Sequence, residues 1–235
     1  MCDTWGKMLA VIPARGGSKG LPGKNICLLA DKPLICYTID AARGILPDKD
    51  ICVSSDSKEI TGIVEGYGLK VPFLRPSALA TDTSKTTEVL LHALDFYECK
   101  GEHYETLLLL QPTSPFRTVE HIRKALELYD RTTDMVVSVK SSHSASVICS
   151  ENAAGYLELT LNKGADRRQN LNYYEYNGAI YIINIASFRR EGKLTFKKIK
   201  KYVMDDLSSV DIDNWLDYEF AELLMRKKYK ISDEG

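Results

Sequence analysis

The chain has 235 residues, 44% hydrophobic and 27% charged, with a formal net charge of −1. This composition excludes disordered and fibrous classes, and the near-neutral charge excludes a global field that would recruit nucleic acid or anionic lipid. A chain of this length buries roughly 70–75% of its unfolded surface and needs no disulfide framework, so its scattered cysteines, none in a CxxC pair, are expected to be free thiols. Residues 1–7 show no basic-then-apolar leader pattern, and the longest purely apolar run, Leu107 to Leu110, is far short of the roughly 20 residues that span a bilayer. The expectation is a cytoplasmic protein with neither a membrane nor a nucleic-acid partner.

Short apolar runs alternate with amphipathic stretches over the first two-thirds, predicting an α/β fold with a mostly parallel sheet. Met8 to Pro13 reads as a buried strand running into a glycine-rich loop, Ala14 to Asn25. A helix follows from Leu34 to Arg43, entered through Pro33. Next come a strand at Ile51 to Ser55, a helix at Lys58 to Tyr67 and a short strand at Val71 to Leu74. The helix Thr86 to Tyr97 shows Val89, Leu90, Ala93, Leu94 and Tyr97 on one face. Thr106 to Leu110 is the most apolar strand and is expected at the sheet's centre. Val119 to Tyr129 reads as a helix and Met135 to Val139 as a strand.

From Ser141 to Tyr176 charge rises and turn-formers cluster, predicting an inserted β-rich arm at 141–176 between core segments 1–140 and 177–235. Gly178 to Asn184 returns to a buried strand, and Leu194 to Tyr202 reads as a strand with one solvated face. Ser208 to Asp213 feeds a last helix in which Leu216, Phe220, Leu223 and Leu224 share the apolar face, followed by a solvated tail from Arg226.

The segment IPARGGSKGLPGKN, Ile12 to Asn25, is the strongest local signal. It follows a buried strand, where open α/β sheets bind ligands. Gly16, Gly17, Gly20 and Gly23 allow backbone N–H groups to converge on an anion, and Arg15, Lys19 and Lys24 add cations. It is not a P-loop, because Ser18 stands where the first glycine would be and Asn25 follows the lysine; nor is it GxGxxG. Phosphate binding is the expectation.

Three further segments carry candidates. LRPSALATDTSKTT, Leu74 to Thr87, places Arg75 after a strand and hydroxyl residues before a helix, where Thr83 or Ser84 could equally be a cap. LLLLQPTSPFR, Leu107 to Arg117, ends a strand in Gln111 and holds Thr113 and Ser114 between prolines. In SVDIDNWLD, Ser209 to Asp217, extended chain sets Asp211 and Asp213 on one side with Ile212 inward. Two such carboxylates beside phosphate oxygens suit Mg²⁺, the competing role being Asp213 as cap of the last helix. His92, His103, His121 and His143 have no zinc spacing, and no GxSxG elbow is present.

Five segments in order (IPARGGSKGLPGKN, RPSALATDT, LLQPTSPFR, NGAIY at Asn177 to Tyr181, and SVDID) resemble the acylneuraminate cytidylyltransferase, or CMP-sialic acid synthetase, family over nearly the whole chain. The resemblance implies a Rossmann-like nucleotidyltransferase core with a dimerisation arm, a homodimer, and transfer of CMP from CTP to an acidic nine-carbon sugar. It implies that Arg15, Gly16, Gly17, Ser18, Lys24 and Asn25 hold the CTP phosphates and ribose, with Arg75 and Thr86 near the cytosine. Gln111, Arg168, Asn177, Gly178 and Tyr181 would line the sugar pocket, Asp211 and Asp213 would bind Mg²⁺, and Arg15, Lys24 and Asp211 would be catalytic. An arm lysine usual in the family is missing from SSHSASVICS, Ser141 to Ser150, so the sugar stays open among sialic acid and its Kdn, legionaminate, pseudaminate and Kdo relatives. A non-catalytic CTP-binding protein on the same fold is the alternative from another class.

Overall fold

The computed structural model describes residues 5–18, 20–142, 149–151, 157–159 and 173–232, with side chains described outside 149–151, 157–159 and 228–232. Six strands form one sheet: β1 (Met8–Pro13), β4 (Ile51–Ser54), β5 (Thr106–Leu109), β6 (Met135–Ser141), β9 (Tyr174–Asn184) and β10 (Ile199–Val203), in the order β10-β6-β9-β5-β1-β4. All run parallel except β9, which is antiparallel to both neighbours. β5 lies in the interior between β9 and β1, as its uninterrupted leucines predict.

Helices cover both faces, because strands β1 and β5 are buried on both sides. Ala10 and Ile12 point into a core with α1 (Leu34–Arg43), α2 (Lys58–Gly66) and α4 (Val119–Glu127). Leu9 and Val11 point the other way, towards α3 (Thr86–Glu98) and α5 (Ile185–Glu191). The strand period of two thus assigns neighbouring residues of one strand to two cores. A third cluster, with Leu21, Leu29, Phe116, Ile212, Ala221 and Met225, packs α6 (Trp215–Ser232) against the glycine-rich loop.

Several expectations are corrected. Val71 to Leu74 forms no strand, only a bridge from Leu74 to Ser55; Pro72 has no N–H to offer a ladder. The strand expected from Leu194 begins at Ile199. Residues Leu28–Leu29 (β2) and Lys32–Pro33 (β3) form an unforeseen antiparallel pair, turned through Ala30 and Asp31 at φ 46° and 62°. The last helix runs on to Ser232 instead of ending in a loose tail at Arg226. Its expected apolar face is largely outward: Leu216 is 74% exposed and Phe220 and Leu223 49% each, while Ala221 and Met225 are buried with Tyr218 and Leu224 beside them.

β9 begins at Tyr174, and its pairing with β6 reaches Ser141–Tyr174, so the core strand starts before residue 177. Of the predicted arm, 149–151 (β7) and 157–159 (β8) form an antiparallel pair; most of the rest lies outside the described residues. Among the described residues Cys27, Cys36, Cys52 and Cys99 are free thiols, and no helix is long and apolar enough to cross a membrane.

Candidate active site

The carboxyl ends of β1 and β5 open on one cavity of about 440 Å³. It is lined by Arg15, Ser18, Gly20, Lys24 and Asn25 from the loop after β1, by Arg75, Asp82, Ser84 and Thr86 before and at the start of α3, by Gln111 and Thr113 after β5, and by Asp213. Segments far apart in the chain therefore converge where a parallel sheet places its ligand. Lys19 lies outside the described residues.

The loop is held from beneath. Asn25 is buried and donates its side-chain amide to the Arg15 carbonyl at 2.9 Å, and the Gly16 N–H donates to Asp56 Oδ1 at 3.1 Å. Asp56, at the exit of β4, also pairs with the buried Arg75 guanidinium at 3.3 Å. Burial holds the Arg75 pKa down, opposed by the Asp56 bond. Arg15 pairs with Asp82 at 3.0 Å and Lys24 with Asp213 at 2.8 Å. Each of these three cations thus faces a carboxylate from a distant segment.

Gly20 makes the last contact possible: a Cβ there would run into the backbone carbonyl of Asp213, so only a bare Cα lets the loop lie against the acidic segment. In that segment Ile212 is buried and its N–H donates to the Thr113 carbonyl at 2.9 Å, leaving Asp211 and Asp213 to flank it as expected. Asp213 is not the helix cap. Asn214 accepts the Asp217 N–H at 3.1 Å and Asp217 accepts the Asn214 N–H at 3.1 Å, a reciprocal cap that frees the Asp213 side chain. Neither Thr83 nor Ser84 caps α3: its cap residue is Lys85, and Ser84 donates to the Ala78 carbonyl and bonds Thr81.

Asp211 is half-buried and its Oδ1 has no partner among the described residues. Burial pushes its carboxyl up, the Thr113 hydroxyl opposes this, Asp213 adds to it and Lys24 counters it. Lys24 and Asp211 therefore feel each other's charge. Beside Asp211 stands Gly178, at φ +76°; a Cβ there would lie 3.0 Å from Gln111 Oε1 and 3.7 Å from Asp211 Oδ2. Tyr181 is half-buried, and its phenol is pushed up by burial with Tyr176 and Asp211 contributing. Gln111, Gly178, Tyr181 and Asp211 thus form a corner next to the cavity.

Asn177, like Gly178 and Tyr181, is not among the residues lining the nucleotide cavity. It is buried in a bulge where β6 and β9 change register, accepting from Ser138 Oγ at 2.6 Å and from the Ala179 N–H at 3.2 Å. Its amide donates to Ser209 Oγ at 2.9 Å. Asn177 does not line the cavity; it fixes Gly178 in the bulge and ties that bulge to the segment carrying Asp211. Arg168 lies outside the described residues. Two carboxylates at the site escaped the sequence reading, Asp56 and Asp82. A lone Asp after the buried strand Ile51 to Ser54 is the available sign for Asp56; Asp82 stands inside the segment RPSALATDT, whose arginine and hydroxyl residues draw the attention first.

A cytidylyltransferase family model matches residues 9–233. The chain is 39% identical over 228 residues to an N-acylneuraminate cytidylyltransferase of Escherichia coli O18:K1:H7, covering 94% of this chain and 53% of that protein. It is also 39% identical over 230 residues to a CMP-N,N'-diacetyllegionaminic acid synthase of Legionella pneumophila, covering 93% and 96%. The chain therefore spans about half the length of the first relative and almost all of the second. Its fold is shared with a solved CMP:2-keto-3-deoxy-manno-octonic acid synthetase complexed with CTP, at TM-score 0.72 and 17% identity over 94% of this chain and 99% of that one. With the glycine-rich basic loop and the segment carrying Asp213 meeting at one cavity, the chain belongs to the cytidylyltransferase family.

Proposed function

We propose that this chain transfers CMP from CTP to the anomeric hydroxyl of a sialic-acid-type nine-carbon keto-sugar acid, giving a CMP-sugar and pyrophosphate. The observation that carries this is the 2.8 Å pair of Lys24 with Asp213, which joins the cationic loop to the acidic segment at the mouth of one cavity. In the reaction the sugar oxygen forms a bond to the α-phosphorus, the bond from that phosphorus to the bridging oxygen breaks, and pyrophosphate carries the electron pair away. Arg15 and Lys24 bind and orient the phosphates, and Arg75 and Thr86 line the base end. Gln111, Gly178 and Tyr181 face the acceptor. No protein nucleophile is required.

Asp211 and Asp213 fit a Mg²⁺ ion. The buried Oδ1 of Asp211 has no partner among the described residues, and the neighbouring Asp213 carboxylate is exposed and close to it. Bound there, the ion would supply charge neutralisation on the transferring phosphoryl group. By the family resemblance the protein is a homodimer whose arm, 141–176, reaches towards the partner's site, with Arg168 meeting the sugar carboxylate.

A second acceptor is favoured by a specific observation. The legionaminate relative matches at the same identity over nearly its full length, and 141–150 contains no lysine. Incubating the protein with CTP, Mg²⁺ and a panel of sialic, deaminated, legionaminic, pseudaminic and eight-carbon keto-sugar acids, with pyrophosphate as readout, decides between them. CTP binding by calorimetry with no release for any acid sugar would establish the non-catalytic alternative instead.

A further inference from the structure

The antiparallel ladder between β5 and β9 stops at Leu109–Tyr181. Carried two residues further in the same register, it would set Gln111 opposite Ala179. Instead a side chain stands in the gap. Arg117 Nη1 donates to the Gln111 carbonyl at 3.0 Å and to the Ala179 carbonyl at 2.9 Å, and Nη2 donates to Thr38 Oγ1 of α1 at 2.6 Å. The turn through Pro112 and Pro115 brings it there, its own N–H reaching the Ser114 carbonyl at 3.4 Å.

The placement is costly in itself. Arg117 is 3% exposed and has no acidic partner among the described residues. A buried cation without a counter-charge is disfavoured, and an apolar side chain of similar volume would avoid that cost. Such a side chain would leave the Ala179 carbonyl without the guanidinium and the Gln111 carbonyl with only a 3.4 Å bond from the Thr38 hydroxyl, so the two would be freer to draw together or to turn. Both belong to residues at the acceptor corner: Gln111 itself, and the residue following Gly178, whose bare Cα faces Gln111 Oε1.

We propose that Arg117 is a positioning residue for the acceptor, a wedge that keeps the ends of β5 and β9 apart at the width that admits the sugar acid between Gln111 and Gly178. This rests on reading that corner as the sugar side. Arg117 is not among the residues lining the nucleotide cavity, although Gln111, whose carbonyl it holds, is; Ala179 and Gly178 are not, so the sugar constant is expected to move more than CTP affinity.

The test uses Arg117→Lys, which keeps the charge but not the planar fork; Arg117→Met, which removes both; and Thr38→Val, a milder loss of one partner that spares the guanidinium. For each variant, thermal unfolding, CTP affinity by calorimetry, and the KM for the acid sugar at saturating CTP are measured. The sugar KM rises about threefold in Thr38→Val and about tenfold or more in Arg117→Lys, with CTP affinity unchanged to within about twofold. A merely structural residue would lower the unfolding temperature and move both constants together, or neither, and either result overturns the proposal. If the wild-type protein releases no pyrophosphate with any acid sugar, the proposed function falls and this role falls with it. Normal wild-type turnover with an unmoved sugar KM in folded variants sinks the wedge alone.

Discussion

Lys24 Nζ lies 2.8 Å from Asp213 Oδ1, although 189 residues separate them in the chain. The pair closes the circuit between the first strand's exit and the segment before the last helix, and Gly20 makes it sterically possible. Gly20→Ala puts a methyl group against the Asp213 carbonyl, backbone against backbone, and the loop must back away. The expected result is a rise of about tenfold or more in the KM for CTP with little change in unfolding temperature, since Gly20 is exposed and packs no core. Steady-state kinetics with CTP varied check it.

Asp211 sets function against stability. Its carboxyl titrates above the ordinary Asp range because burial disfavours the charge. The folded state then holds its proton to higher pH than the unfolded state, so stability falls as pH rises from the ordinary value through the raised one. Asp211→Asn removes that loss. Its unfolding temperature at pH 8 should exceed wild type, by about 2–4 °C for each kcal/mol recovered, and the gap should shrink in acid. Turnover should fall by roughly 10²–10⁴. A variant equally active and no more stable contradicts the assignment.

Asp82 competes for Arg15. Both side chains are partly exposed and 3.0 Å apart, and Arg15 is one of the groups that would meet phosphate. An exposed pair of this kind contributes little, so Asp82→Asn should tighten CTP binding by only about two- to fivefold. Calorimetry at fixed salt reads it directly, and weaker binding would show that Asp82 helps place Arg15.

Gly178 tests the bulge. Gly178→Ala forces an L-residue to φ +76° and sets its Cβ 3.0 Å from Gln111 Oε1, at a conformational cost of about 1–2 kcal/mol. The KM for the sugar should rise more than that for CTP.

Much of this was legible in the sequence. Met8 to Pro13 and Thr106 to Leu109 are apolar on both faces, as interior parallel strands must be, and a break into Gly, Arg and Lys marks the ligand end. The inward place of Ile212 between two acids was legible too, and Ile212 is fully buried. Other features depend on partners that only folding brings together. Asp56 matters through the Gly16 N–H and Arg75, and Asp82 through Arg15, none of them near in sequence. Asn177 sits in a motif yet serves the bulge, because Ser138 and Ser209 arrive from elsewhere. In the last helix periodicity shows an apolar stripe but not which side is met: the small Ala221 fits against the loop, and the bulkier Leu216 and Phe220 remain outside.

The central claim is that cations and carboxylates from opposite ends of the chain act on one triphosphate. A double-mutant cycle on Lys24→Met and Asp213→Asn, scored by kcat/KM for CTP at saturating Mg²⁺ and acid sugar, tests it most directly. The two losses should be strongly non-additive, with a coupling of about 0.5–3 kcal/mol. Additive losses, or a double variant with near-normal pyrophosphate release, would contradict the account.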